Sequence, residues 1–370
     1  MYMIRKNNIA IVHDFLSQYG GAEYVVSVFH EMFPEAPIYT SIYFPDKTWP
    51  AFKTAKVITS FMQKTPYISK IQKWLFFVYP IVFRTMDLSS YDLILSSSAN
   101  FASGVKVKKG QKHICYMHNP PRFLYREEEY LKKEKVAGLL RLLVSFISVP
   151  LRFFDKRSTV KIDFIIANSK NVAKRIYSTY AKESIMVYPP VEEDRFCLSE
   201  KSEGFYLVVS RLIGYKRVDL AVEAFNNLNK RLIVIGDGPE KQRLKEMARN
   251  NVEIMGWQPD EVVADYLGRC EAFIFPGEED FGIVSVEAQL CGKPVVAYRG
   301  GGALETVVEN ETGIFFDEFD SKLLADAVLA LENTKWNKKK IRENALRFSK
   351  KRFKEEINKI IAGEQTDVKK

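Results

Sequence analysis

The chain has 370 residues, 46% hydrophobic and 27% charged, a folded rather than disordered composition and too long for one ordinary core, so two domains are expected. Its four cysteines, Cys115, Cys197, Cys270 and Cys291, are scattered, which argues against a disulfide framework or a zinc site and fits a reducing cytoplasm. The net charge of +9 is uneven: residues 1–190 carry 27 Lys and Arg against 14 Asp and Glu, and the remainder 28 against 32, so the first half suits an anionic surface, either nucleic acid or acidic lipid headgroups, unless the charge serves only solubility.

Met1 to Asn8 runs directly into Ile9-Ala-Ile-Val12, so no secretory segment is expected. Nor does any stretch reach the roughly 18 uninterrupted apolar residues of a spanning helix. Trp74 to Phe83 is too short, and Gly138 to Phe154 is broken by Arg141, Pro150 and Arg152.

Ile9 to Asp14 reads as a buried strand, followed by a loop to Gly20 and a helix from Gly21 to Met32. Gly20 and Gly21 either make an ordinary tight turn or let helix-start amides approach a diphosphate. Ile38–Tyr43, Tyr91–Ser98 and Gln111–Met117 are further strands, and their alternation with helical stretches predicts a parallel sheet. The prolines of His118-Asn-Pro-Pro-Arg122 stop the third of these at its carboxyl end, where such sheets bind ligands. His118 is there either as a structural hydrogen-bonding residue or as a functional one, directed at a cleft.

Two segments, Lys70–Arg84 and Leu139–Arg157, set large apolar residues between cations. They read either as core helices or as interfacial segments, in which cations meet acidic headgroups while rings enter the acyl boundary. Val160–Asn168 is a strand, and Ser169 is placed to cap a helix over Lys170–Tyr180. Tyr188-Pro-Pro-Val191 closes the first domain, taken as 1–190, and Glu192–Gly204 reads as a linker into a second domain, 191–344.

Phe205–Ser210 restarts the pattern, and Arg211 and Lys216 lie on the loop before a helix over 217–227. This is either a solvated basic turn or a pair of charges where an α/β sheet holds phosphate. Gly236-Asp237-Gly238 follows the next strand and by itself says only "turn". Val252–Trp257 continues the sheet, and Pro259–Cys270 supplies a helix. Lys335–Ile361 is basic and helical.

Ala272–Pro276 is a strand, the loop after it carries Glu278, Glu279, Asp280, Phe281 and Gly282, and a helix over Ile283–Cys291 bears Glu287. Acids near a helix start can be no more than complements to its dipole. They also suit hydroxyl-rich ligands, because a carboxylate accepts several hydroxyl hydrogen bonds at once.

Glu279, seven residues, then Glu287, with Phe281-Gly282 inside and Gly292-Lys-Pro-Val-Val and Gly300-Gly-Gly-Ala-Leu-Glu-Thr306 after, resembles the signature of the retaining glycosyltransferases of family 4. Ser210–Phe225 is similar to that family's diphosphate-binding segment, Gly20-Gly-Ala-Glu23 to its N-terminal glycine loop, and Tyr116–Arg122 to the cleft loop of an O-antigen mannosyltransferase-like group. The resemblance covers Ile9 to about Phe353. It implies an α/β, GT-B fold, with two Rossmann-like domains facing each other across a cleft and a last helix, about 345–361, crossing back to the first. It also implies transfer of a hexose, mannose from GDP-mannose or a hexose from a UDP donor, to a lipid-linked oligosaccharide at the cytoplasmic membrane face, as in O-antigen or exopolysaccharide synthesis, with no metal or other cofactor.

By the same resemblance His118, Glu279, Lys216 and Arg211 are catalytic. Gly20, Gly21, Arg211, Lys216, Gly236, Asp237, Gly238, Phe281, Gly282, Ile283 and Glu287 bind the nucleotide sugar. Glu279 would grip sugar hydroxyls rather than act as a nucleophile, Glu287 would take the ribose, and the departing phosphate oxygen would accept the acceptor's proton. Two other classes fit less well. A nucleic-acid-binding protein would explain the charge but not Glu279, Glu287 and the Gly292-Lys-Pro segment together, and a dinucleotide oxidoreductase lacks its Gly-x-Gly-x-x-Gly after the first strand.

Overall fold

The computed structural model describes residues 8–125 and 139–364, with Lys73 and residues 139–144 described by their backbone alone. The reading of the N-terminal Met1–Asn8 stretch therefore falls, but for Asn8, outside the described residues. The chain divides into two compact units: 1–189 with 353–370, and 190–352.

The first unit holds a parallel seven-stranded sheet in the order β3-β2-β1-β4-β5-β6-β7. These strands are β1 (Ile9–His13), β2 (Ile38–Thr40), β3 (Val57–Thr59), β4 (Leu93–Ser98), β5 (Lys112–Met117), β6 (Phe164–Ala167) and β7 (Ile185–Met186). Every residue of β1 and β4 is buried, as expected of central parallel strands covered on both faces. The helices α1 (Gly21–Met32), α2 (Tyr79–Thr85), α3 (Leu139–Thr159) and α4 (Lys170–Tyr180) belong to this unit. The cap of α4 is as expected, with Ser169 Oγ accepting from the Val172 amide at 3.2 Å.

One face of this sheet is closed by a helix from the far end of the chain, Lys350–Ala362. Its Phe353, Ile357 and Ile360 join α1 and the central strands in one core, with Phe353 stacked on Phe29 at 5.8 Å. The basic C-terminal stretch is thus not one helix. Lys338–Leu346 stops where Phe348 turns inward against Phe281, and Ser349 Oγ, accepting from the Arg352 amide, starts the last helix at Lys350 rather than near 345.

The second unit is a parallel six-stranded sheet, β10-β9-β8-β11-β12-β13. Here β8 is Phe205–Val209, β9 Arg231–Ile235, β10 Val252–Gly256, β11 Phe273–Phe275, β12 Val295–Tyr298 and β13 Gly313–Phe316. Its helices include α5 (Val218–Leu228), α6 (Ile283–Leu290) and α7 (Ser321–Glu332). Both sheets run outward in two directions from their first strand, so each has a point where strand order reverses, between β1 and β4 and between β8 and β11. In open parallel sheets ligands bind at the carboxyl ends of the strands beside that reversal.

Candidate functional site

In the second unit, the loops after β8, β9, β11 and β12 converge at the reversal point. Lys216, from the loop after β8, forms an ion pair with Glu279, from the loop after β11, with 12% and 22% of their side chains exposed. Tyr215 connects the two cations of its loop. It accepts a hydrogen bond from Arg211 at 3.1 Å, and its ring centre lies 5.5 Å from Lys216 Nζ. Arg211 itself is exposed.

The glycines hold these loops at backbone contact. Gly236 and Gly238 have φ of 146° and 155°, and a Cβ there would lie 1.8 Å from the Ser210 carbonyl oxygen and 2.3 Å from that of Leu212. The Gly-Asp-Gly segment is therefore more than a turn, because only glycine lets it lie on the loop that carries Arg211. Asp237 stays exposed, bonded to the Gly238 amide and to Lys241 at 2.7 Å, and that ammonium holds its carboxyl below the usual range. Gly277 likewise abuts Lys216, whose carbonyl oxygen would be 2.7 Å from an added Cβ.

Glu287 lies on α6, the helix that begins at Ile283 directly after Gly282. Burial raises its pKa to about 7, against the pull of Arg195 and with Asp260 and Glu192 adding to the rise. Arg195 is 3.9 Å from Glu287 and 3.1 Å from Asp260. Sequence reasoning passed over Arg195, which lies in the stretch taken as a linker; its one signal was a basic residue in that stretch. Two residues of the signature are internal: the Phe281 side chain is buried against Phe348 at 5.2 Å, and the Lys293 ammonium is buried on the Lys201 carbonyl.

In the first unit the sheet register sets His13 at the end of β1 opposite Ser97 on β4. His13 Nδ1 lies 3.0 Å from the Ser97 carbonyl oxygen and 3.1 Å from its Oγ, and Ser97 Oγ lies 2.8 Å from His118 Nε2. His118 is fixed by its backbone too, its amide bonding the Ser98 carbonyl and its carbonyl accepting from Asn168. Glu23, on the first turn of α1, is buried with Oε1 4.0 Å from His13 Nε2. Burial opposes charge on His13, but Glu23 and Asp14 raise its pKa above the usual value. Asp14 in turn accepts from four successive amides, Ala99 to Ala102, at 2.6–2.9 Å.

Gly20 precedes α1, whose first residue is Gly21, and Glu23 Oε2 occupies the space beside it, 2.3 Å from where a Gly20 Cβ would stand. The glycine loop therefore lies against a carboxylate as well as the amides of a helix start. Sequence reasoning missed His13 and Ser97 because each reads as an ordinary member of a buried strand.

The two cation-flanked apolar segments are both core and surface. Val82, Phe83, Leu151 and Phe154 enter one core cluster, and Arg84 lies over the Phe154 ring at 5.7 Å. Trp74, Phe77 and Ile81 of the first, and Phe146, Val149 and Phe153 of the second, remain 46–79% exposed. The only acid between 145 and 161 is Asp155, buried and bonded by Tyr125 and Tyr180, and 61–85 has none. The part of the second segment before 145 lies outside the described side chains. Among the described residues no helix is long and apolar enough to cross a membrane, and no three His, Cys, Asp or Glu side chains gather as a metal ion would require.

Residues 191–348 match the family model described as glycosyl transferases group 1. An uncharacterized glycosyltransferase of Methanocaldococcus jannaschii is 26% identical over 82% of this chain and 84% of its own length. A GDP-mannose-dependent α-(1-6)-phosphatidylinositol monomannoside mannosyltransferase of Mycolicibacterium smegmatis is 27% identical over 45% of this chain, which spans about half of that relative (52%). In fold, the chain is similar to Anabaena HepE, solved in complex with UDP and glucose, with a TM-score of 0.67 at 19% identity over 96% of this chain and 99% of that one. The two parallel-sheet units fit a GT-B α/β fold, and the family match with these relatives supports a glycosyltransferase.

Proposed function

We propose that this glycosyltransferase is a retaining hexosyltransferase that takes mannose from GDP-mannose and delivers it to a lipid-linked oligosaccharide in surface-polysaccharide synthesis. The observation that carries the reading is the Lys216–Glu279 pair at the reversal point of the second sheet, with Arg211 on the same loop and Glu287 on the following helix. Two cations beside a carboxylate match a ligand that is anionic at one end and hydroxyl-rich at the other.

In this reading Lys216 and Arg211 neutralise the charge that develops on the departing diphosphate, so no metal or other cofactor is called on. Glu279 holds sugar hydroxyls and opposes the positive charge growing at the reacting carbon. Glu287 takes the ribose hydroxyls. His118 and the Gly20–Gly21 loop of the first unit are assigned to the transferred sugar and the acceptor. The anomeric bond to the phosphate breaks as the acceptor oxygen bonds the same carbon on the same face, and the leaving phosphate oxygen accepts the acceptor's proton.

The GDP-mannose assignment draws on the mannosyltransferase relative. A UDP-hexose donor is the second reading, favoured by the UDP in the similar Anabaena structure. The lipid-linked acceptor and peripheral contact with an acidic membrane, placed at its cytoplasmic face, draw on the outward apolar residues of the two segments and the absence of exposed acids among them. No nucleic acid is involved in this reading.

Thermal unfolding with GDP, GDP-mannose, UDP and UDP-glucose, without added metal, tests the donor. At a hundredfold excess over Kd a bound donor stabilises by about 2.7 kcal/mol. A rise in Tm with the guanine pair alone supports mannosyl transfer, a rise with the uridine pair alone replaces it, and no rise with any of them ends the reading. The product's anomeric configuration, read by NMR, tests retention.

A further inference from the structure

The hydrogens in the buried cluster of the first unit can be assigned by what each atom is able to do. The Ser97 carbonyl oxygen only accepts, so His13 Nδ1, 3.0 Å away, must carry a hydrogen and donate it. That hydrogen also faces Ser97 Oγ at 3.1 Å, which makes the hydroxyl oxygen an acceptor there. The hydroxyl's own hydrogen then needs an acceptor, since Ser97 is fully buried and buried polar hydrogens are almost always paired. Among the described residues the one acceptor that remains for it is His118 Nε2, 2.8 Å away.

We propose that Ser97, held by His13, donates its hydroxyl hydrogen to His118 Nε2 and so fixes His118 as the Nδ1–H tautomer, a hydrogen-bond donor rather than a base. Ser97 and His13 are positioning residues in this scheme. Glu23 completes it from α1, since its carboxylate lies 4.0 Å from His13 Nε2 and favours a hydrogen on that nitrogen as well. The direction of the chain of bonds is therefore set at its buried end. Its consequence for His118 is that, with Nε2 occupied, the ring meets an oxygen of the sugar as a donor through Nδ1. It cannot remove a proton through Nε2 without first breaking the bond to Ser97. This part of the inference rests on the reading of His118 as a sugar-contacting residue; the hydrogen assignment does not.

The test is direct because the chain has four histidines. Two-bond proton–nitrogen spectra of the full chain with nitrogen-15 histidine, recorded at pH 8, distinguish the two neutral tautomers, and His118→Gln identifies the His118 signals. The expected result is an Nδ1–H pattern for His118 in the wild type. Ser97→Ala should release it to a mixed or Nε2–H pattern, Ser97→Thr should restore it, and hexosyl transfer by Ser97→Ala should fall about tenfold to a hundredfold in kcat with little change in KM. An Nε2–H pattern in the wild type, or an unchanged pattern in Ser97→Ala, overturns the proposal, and the wild-type spectrum decides even if the variant does not fold. An Nδ1–H pattern in a protein that binds no nucleotide sugar would leave the hydrogen assignment standing and remove the functional reading instead.

Discussion

Lys216 and Glu279 are joined as an ion pair although they come from loops after two different strands, β8 and β11. Each neutralises the other, and a ligand with a diphosphate and a sugar offers each a new partner. In a double-mutant cycle the pair is expected to contribute about 1 kcal/mol of coupling to unfolding stability without ligand, falling towards zero with saturating donor. Lys216→Ala should lower kcat/KM roughly a hundredfold to a thousandfold, and Glu279→Gln more than tenfold. Coupling that persists in the donor complex would show that the pair is structural.

Glu287 gives a pH signature with a definite sign. Its folded pKa, about 7, lies above the ordinary glutamate value of 4.5. The folded state therefore binds the proton more tightly, and its contribution to stability is present below pH 4.5 and lost as pH rises through about 7. Glu287→Gln removes that loss, so it should be more stable than wild type at pH 8, by up to roughly 3 kcal/mol, and nearly equal to it at pH 4. It should also bind nucleotide sugar more weakly. Urea unfolding at the two pH values checks this, and an offset independent of pH would count against it.

Gly277 tests whether loop spacing matters apart from loop chemistry. An alanine Cβ would press on the Lys216 carbonyl, and the 214–216 turn would have to move away from the loop after β11. Gly277→Ala should weaken GDP or UDP binding, whichever is the ligand, by tenfold or more in calorimetry, with circular dichroism unchanged. Undiminished affinity would show that the turn yields without cost to the site.

Exposed Trp74, Phe146 and Phe153 contribute little to the core. Replacing all three with serine should leave Tm within a few degrees of wild type. It should abolish flotation with vesicles containing anionic phospholipid, and wild-type flotation should weaken as salt is raised. Wild-type protein that ignores such vesicles would remove membrane contact from the proposed function.

How much was legible followed from how local each signal is. The helix over Lys170–Tyr180 could be read with its cap because Ser169 and the amide it serves are three residues apart. The buried strands β1, β8 and β12 announce themselves as apolar runs bounded by turns. The edge strands β3 and β7, three and two residues long, carry no such run, and their pairing depends on neighbours already in place. In the second unit, Glu279 and Glu287 were found through the pattern that encloses them, whereas Arg195 reaches Glu287 across 92 positions of sequence. His13 and Ser97 meet through strand register, which no local window contains. The two apolar segments were ambiguous because each sends some of its large apolar residues into the core and leaves others exposed.

The helix at 350–362 has a consequence for how the protein is made. Residues 190–352 form a contiguous unit that can close as soon as they leave the ribosome, whereas the sheet of the first unit waits for Phe353, Ile357 and Ile360 to cover it. Domains fold as units during synthesis, usually in the order they emerge; here the part translated first is completed last. Nascent chains arrested so that residues up to 352 are exposed should show a second unit nearer to protease resistance than the first, and the reverse order would contradict this. Until the final helix arrives, the patch around Phe29 and Tyr116 is an apolar surface open to any chaperone that binds one.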